Sequence, residues 1–277
     1  MNRFQQFIKE RQYLSNVSPA TISWYTHAFK WLPNESPTQP ELNAVILQMR
    51  KKGLKPTGCN AAIRAINAYL HWCAEPDSKC GSGCRHPKIR QMKEPEFVPV
   101  LFSDDQIQRL VRWKPRGERD RRLHLLVLLL LDTGARISEL LSLKVADVDL
   151  TNLLLTLTGK GRKQRKVPFS LELRRILFTW VAGKQPTDFV LSGKWGWNAC
   201  LRAVKYLCTR LGFDAPPRTL HAFRHLYATN FLRRVGSPAK LQRLLGHTTT
   251  SMAMRYAHLT TDDLQEGYES VSLLNRR

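Results

Sequence analysis

The sequence predicts a mainly α-helical chain with a small β-sheet, divided into two domains. Three observations carry this expectation. The 277 residues exceed the usual size of one small domain, and the composition, 43% hydrophobic and 24% charged, is that of a folding, globular chain. Apolar residues recur mostly at helical spacing. A single glycine-containing turn, Gly159-Lys-Gly-Arg162, is flanked by two short strand-like runs.

Residues 1–92 read as short helices. Ser18-Pro19 is a helix cap followed by a first-turn proline, after which Ile22, Tyr25, Phe29 and Leu32 recur near helical spacing. A second pattern runs from Leu42 to Met49. A third runs from Asn60 through Ile63, Ile66, Tyr69 and Leu70 to Trp72. Residues 93–102 contain two prolines that resist helix and read as an extended linker. Ser103-Asp-Asp-Gln106 then forms a capping box that opens the second domain, 103–277. The run Leu123–Leu131 is almost solid leucine, a helix buried on most sides and ended by Thr133-Gly134. Leu153–Leu157 and Lys166–Phe169 form the arms of a hairpin, and helical patterns resume at Leu171.

The chain carries 44 Lys and Arg against 22 Asp and Glu, a formal charge of +22. Such an excess calls for a polyanion, of which nucleic acid is the commonest. The excess is spread over both domains, +8 in 1–92 and +15 in 103–277, so both are candidates to face DNA. The first residues lack the apolar core of a signal peptide, and the longest apolar run, Leu125–Leu131, is far too short to span a membrane. A cytoplasmic, nucleoid-associated protein without membrane contact is therefore expected. In that compartment six cysteines do not imply disulfides.

Four segments concentrate cationic and hydrogen-bonding residues: Thr133-Gly-Ala-Arg136-Ile-Ser-Glu139-Leu, the hairpin turn with Lys160, His221-Ala-Phe-Arg224-His225, and Leu245-Gly-His247 followed nine residues on by Tyr256. Breaking a phosphodiester with a side-chain nucleophile gathers negative charge on the non-bridging oxygens, which bidentate arginines such as Arg136 and Arg224 are suited to clamp. The departing sugar oxygen needs a proton, which a turn lysine such as Lys160 can supply. A phenol titrates near pH 10 and needs cations and a nearby base, for which His221 and His247 are available. Taken singly, each of these residues has an ordinary reading as a surface cation, a cap or a core tyrosine. It is their order and spacing that give them meaning.

The order Arg, Lys, His-x-x-Arg, His, Tyr on TGARISEL, GKGRKQRKVP, HAFRH, LLGH and MRYAHL resembles the catalytic domain of the tyrosine site-specific recombinases, or phage integrases. The resemblance covers 103–277 well, whereas 1–92 is similar only in character, as a helical DNA core-binding domain. It implies an α+β catalytic domain in which Arg136 and Arg224 hold the scissile phosphate, Lys160 protonates the leaving 5′ oxygen and His221 acts on the tyrosine proton. His247 would bond the phosphate, Glu139 would support the site one turn beyond Arg136, and Tyr256 would attack to give a 3′-phosphotyrosine. It further implies double-stranded DNA with paired recombination sites as partner, passage through a Holliday junction, a homo-tetramer whose C-terminal helix docks in trans, and no cofactor or catalytic metal. An apolar stripe at Leu264, Tyr268, Val271 and Leu274 is the candidate docking helix, with packing on its own domain as the alternative. One departure is Leu226, where many relatives carry a small hydroxyl residue.

Other functions fit these residues less well. His221 and His225 have zinc-protease spacing, but Ala222 occupies the position of the required glutamate. No phosphate-binding G-x4-G-K-S/T loop accompanies Gly159-Lys160-Gly161. A catalytically silent DNA-binding protein of the same fold and a type IB topoisomerase-like enzyme remain as alternatives. Cys73, Cys80, Cys84 and His86, with His71 nearby, leave a structural zinc site open, although their spacing matches no common zinc module.

Overall fold

A computed structural model of the protein describes residues 2–74, 87–95, 99–159, 161, 163–191 and 195–246. The chain forms two compact units, Met1–Phe97 and Val98–Arg277.

In the first unit four helices pack together: α1 (Arg3–Tyr13), α2 (Pro19–Phe29), α3 (Gln39–Lys51) and α4 (Pro56–Cys73). Ser18 caps α2 as its sequence predicts, its hydroxyl accepting from the Thr21 N–H, and Pro19 occupies the first turn. The stripe Leu42, Val45 and Met49 of α3 is buried, as are Ile63, Ile66, Tyr69 and Leu70 of α4. Phe7 sits at the middle of this core, with its ring centroid 5.0 Å from Tyr25 and 5.6 Å from Tyr69, both edge-on. Helix α1 carries a short apolar stripe, Phe4, Phe7 and Ile8, of which Phe7 is fully buried while Phe4 and Ile8 pack partly buried against the core. Its start is marked by the Asn2/Gln5 capping box.

Segment 87–95 is extended and is held to α4 by two asparagines. Asn67 donates to the Ile89 carbonyl (2.8 Å) and accepts from its N–H (3.0 Å). Asn60, buried inside the helix, donates to the Met92 carbonyl (2.8 Å) and the Glu94 carboxylate (2.7 Å) and accepts from the Met92 N–H (2.8 Å). The two amides take the place of a neighbouring β-strand, satisfying backbone groups that have no sheet to join.

The second unit is built on α6 (Gly117–Thr133), whose Leu125, Leu126, Val127, Leu129 and Leu130 are all buried. Around it lie α5 (Asp104–Arg112), α8 (Leu171–Val181), α9 (Trp197–Arg210) and α10 (Thr219–Val235). Ser103 and Gln106 form the expected capping box of α5. The leucine-rich helix ends at Gly134, in the left-handed conformation at φ +59°. Short α7 (Ile137–Leu141) and a 3-10 turn (Val145–Asp147) lead into an antiparallel sheet of order β1-β2-β3: β1 (Val148–Asp149), β2 (Leu154–Thr158) and β3 (Gln164–Pro168). The hairpin is the one predicted. β1, two residues long, is too short to leave a periodic signal. The register places Leu155 opposite Val167 and Leu157 opposite Arg165. A last described helix, α11 (Pro238–Leu245), closes on Gly246 at φ +63°. Among the described residues no helix is long and apolar enough to cross a membrane, and no group of His, Cys, Asp and Glu has metal-binding geometry. Cys80, Cys84 and His86 of the candidate zinc cluster lie outside the described residues.

Replacing Asn60 by Ala removes three hydrogen bonds and leaves part-buried backbone groups at Met92 without their partner, which should cost about 1–3 kcal/mol. Asn43→Ala removes only an exposed bond from Gln39 and should change stability by less than about 0.5 kcal/mol. Urea unfolding of the full chain measures both, and equal effects would contradict the assignment of the Asn60 amide as a structural clasp.

Candidate active site

Two chain segments meet at one carboxylate. Glu139, in α7, is buried with only 2% of its side chain exposed. Arg165 reaches it from β3 as a two-pronged fork, Nη1 donating to Oε1 at 2.7 Å and Nη2 to Oε2 at 2.8 Å. Arg136, the residue that caps α7, donates its backbone N–H to Oε2 (2.8 Å) and its Nη1 to Oε1 (2.9 Å). Burial alone would push the Glu139 carboxyl up. The Arg165 hydrogen bonds, the Arg136 N–H, the Arg165 charge and the Arg136 side-chain hydrogen bond outweigh burial and hold the group below the usual carboxylate range.

The C-terminal end of α11 is the second meeting point. A helix end leaves carbonyls without partners and carries partial negative charge. Here arginines cover them: Arg165 Nε donates to the Leu244 carbonyl (2.6 Å), while Arg224 Nη2 (2.7 Å) and Arg136 Nη1 (3.4 Å) converge on the Leu245 carbonyl. Arg224, buried in α10, also donates from Nη1 to the Gly134 carbonyl at 3.0 Å. Gly134 is required there for two reasons. Its φ is left-handed, and a methyl group at its Cα would lie 2.5 Å from the Tyr227 ring. Tyr227 is itself stacked on Phe231 and partly buried, so the tyrosine nearest the clustered arginines in sequence is a packing residue.

His221 is exposed on α10, one helical turn before Arg224. Partial desolvation, then the charges of Arg224, Arg218 and Arg136, lower its pKa, so the ring is neutral near pH 7. His225, on the next turn, is pushed down to about 4 by burial first and then by His221, Arg224 and Arg218. The structure thus brings together Arg136, Glu139, His221 and Arg224 of the residues singled out by sequence. Lys160, His247 and Tyr256 lie outside the described residues, but the residues on both sides of Lys160 and the one before His247 are placed. Gly159 and Gly161 flank Lys160, with the Gly159 N–H donating to the Lys163 carbonyl at 2.8 Å, and Gly246 precedes His247. Sequence reading missed Arg165. Its signal was alternation, since Arg165 shares a strand face with buried Val167, and a cation on a buried face must find an anion.

Residues 101–262, more than half of the chain, match the phage integrase family. The chain belongs to the phage integrase family. It is therefore a site-specific recombinase of the tyrosine type, an enzyme that cleaves and rejoins DNA. This integrase is 30% identical to tyrosine recombinase XerA of Pyrococcus furiosus, over 94% of this chain and 91% of that protein. To tyrosine recombinase XerC of Xanthomonas campestris pv. campestris it is 30% identical over 83% of this chain and 72% of that one. In fold it is similar to the Tn1549 transposon integrase solved with transposon right-end DNA (TM-score 0.77, 19% identity, covering 98% of this chain and 99% of that one). It is also similar to XerH bound to its difH substrate (TM-score 0.71, 16% identity, 99% and 85% covered).

Acid should destabilise the integrase in two windows. The unfolded chain takes up a proton on His225 near pH 6.5 that the folded chain refuses until about pH 4, so stability falls as pH drops through that interval. Glu139 has a depressed folded value, so its contribution is complete above the ordinary carboxylate range and is lost as pH falls through the folded value. His225→Gln should flatten the upper window and Glu139→Gln the lower one in thermal melts taken across pH. Unchanged pH slopes in both variants would contradict these assignments.

Proposed function

We propose that Tyr256 attacks a scissile phosphate held by Arg136 and Arg224, in double-stranded DNA that carries paired recombination sites. The observation that carries this reading is the convergence of the two guanidinium groups on one oxygen, the Leu245 carbonyl, two residues before His247. Two forks that reach a single carbonyl oxygen are spaced to share the non-bridging oxygens of a phosphate, where charge grows in the transition state. His247 adds a hydrogen bond to that phosphate, and Glu139 holds Arg136 from behind.

The chemistry balances without a metal or an external energy source. The Tyr256 oxygen forms a bond to phosphorus and passes its proton to His221, whose ring is neutral near pH 7 and able to accept it. The phosphorus–O5′ bond breaks, and O5′ takes a proton from Lys160. The product, a 3′-phosphotyrosine with a free 5′ hydroxyl, keeps the phosphodiester energy, so a 5′ hydroxyl from the partner site reverses the reaction and exchanges strands through a Holliday junction. The basic helical unit of residues 1–92 acts as the core-binding domain, joined by 93–102 to the catalytic domain of 103–277. An enzyme with this substrate resides with the cell's DNA, at the nucleoid of the cytoplasm.

Tyr256→Phe removes one oxygen and keeps the ring, so it should abolish a denaturation-resistant adduct on nicked suicide DNA while leaving DNA binding intact. An adduct of undiminished yield would place the nucleophile elsewhere.

Recombination proceeds in a homo-tetramer in which each protomer docks its C-terminal helix on the next, in a ring that closes because every subunit both gives and receives. The stripe Leu264, Tyr268, Val271 and Leu274 lies outside the described residues. A groove of the second unit, about 480 Å³, would receive it: Ile107, Val111, Leu128, Leu131 and Ile176 supply apolar lining, with His124, Asp132, Ser170, Glu172 and Asn230 among them. Deletion from Leu264 onward should spare single-site binding but remove the two-site complex and recombination, as read by gel shift and plasmid assay. A truncated protein that recombines two sites at the normal rate would rule out trans docking. Relaxation of plasmids that carry a single site would favour topoisomerase-like behaviour instead.

A further inference from the structure

We infer that Arg165 is a positioning residue that ties the Lys160 turn to the arginine clamp through the Glu139 carboxylate. The inference rests on the reading of Lys160 as proton donor, and adds how that donor is held in register with the phosphate site. Arg165 stands in β3, on the far arm of the turn that begins at Gly159. Its fork grips both oxygens of Glu139, and Glu139 in turn holds Arg136 by backbone and side chain. Its Nε covers the Leu244 carbonyl at the end of α11.

The packing around this guanidinium is close on two more sides. A methyl group at Gly246 would lie 3.1 Å from Arg165 Cδ, and one at Gly159 would lie 3.4 Å from Glu139 Oε1 and 3.9 Å from Arg165 Nη1. The glycine that opens the Lys160 turn and the glycine that precedes His247 thus both rest on the same ion pair. Lysine cannot substitute for this function, because an ammonium group cannot bond two carboxylate oxygens and a carbonyl in three fixed directions in one plane. The consequence is mechanical: loosening Arg165 lets the hairpin drift from the clamp while each retains its own residues.

Single-turnover cleavage of nicked suicide DNA by the full-length protein tests this, with an ordinary scissile phosphate and with a 5′-bridging sulfur, whose thiolate leaves without a proton. Arg165→Lys keeps a cation opposite Glu139. Arg165→Gln keeps a hydrogen-bond donor toward Glu139 and leaves Glu139 on Arg136, so a second variant lacking only the charged fork stands beside it. Misplacing the donor should slow cleavage of ordinary DNA by about 10²-fold. DNA affinity should remain near wild type, and sulfur should restore much of the lost rate, as is expected for Lys160→Ala. Combining Lys160→Ala with Arg165→Lys should add little to the loss from Lys160→Ala alone. Relief by sulfur in Lys160→Ala but not in the Arg165 variants, or multiplying losses in the combined variant, would overturn the inference. No relief in Lys160→Ala itself would instead overturn the proton-donor reading on which it rests.

Discussion

A buried carboxylate with two arginines is the constraint on which the catalytic unit depends. Glu139 is almost fully removed from water, and an uncompensated charge there would cost several kcal/mol. The cost is offset only if Arg165 and Arg136 both arrive with correct geometry, which fixes β3 and the start of α7 against each other. Exchanging such a cluster for apolar residues is often neutral for stability, whereas removing one partner typically costs about 3–5 kcal/mol. Its value to this protein is therefore one of placement. Arg136 is oriented by a group that is itself held by the β2–β3 hairpin.

The same arginines solve a second problem. Helix α11 ends in carbonyls with partial negative charge, and Arg165, Arg136 and Arg224 cover Leu244 and Leu245. Gly134 and Gly246 permit this crowding, each in the left-handed conformation and each against a bulky side chain. The proposed catalytic set is dispersed over the sequence from Arg136 to Tyr256. The described part of it becomes one site because helix ends, rather than helix faces, are brought to a common point. Burial first, and then the concentrated positive charge, favour the neutral imidazoles of His221 and His225, the state in which a ring can take a proton.

Much of this was legible in the sequence, for identifiable physical reasons. Capping residues and apolar stripes gave α2 to α6, and the glycine turn between β-rich runs gave the hairpin. The order of the cationic motifs pointed to the candidate site before any geometry was known. What was not legible has equally specific causes. The stripe of α1, Phe4, Phe7 and Ile8, spans little more than one turn and does not stand out, and β1 is too short for periodicity. Asn60 and Asn67 look like ordinary helix residues, and only the path of 87–95 reveals them as clasps. Arg165 was hidden among the neighbouring cations of GKGRKQRKVP. Alternation with Val167 marks it as inward, but its partner, Glu139, is far away in sequence, and that pairing is set by tertiary structure.

The central claim is that Arg136, set by Glu139, and Arg224 act together on the charge of one phosphate. Its most direct test compares cleavage of a normal scissile phosphate with cleavage of a methylphosphonate at the same position, in which one non-bridging oxygen and the negative charge are gone. With less charge to stabilise, the penalties of Arg136→Ala, Arg224→Ala and Glu139→Gln should all shrink on the neutral substrate relative to the charged one, each by about tenfold or more, equivalent to about 1.4 kcal/mol of transition-state stabilisation. Penalties of equal size on both substrates would show that these residues do not act on the phosphate charge, and would contradict the account.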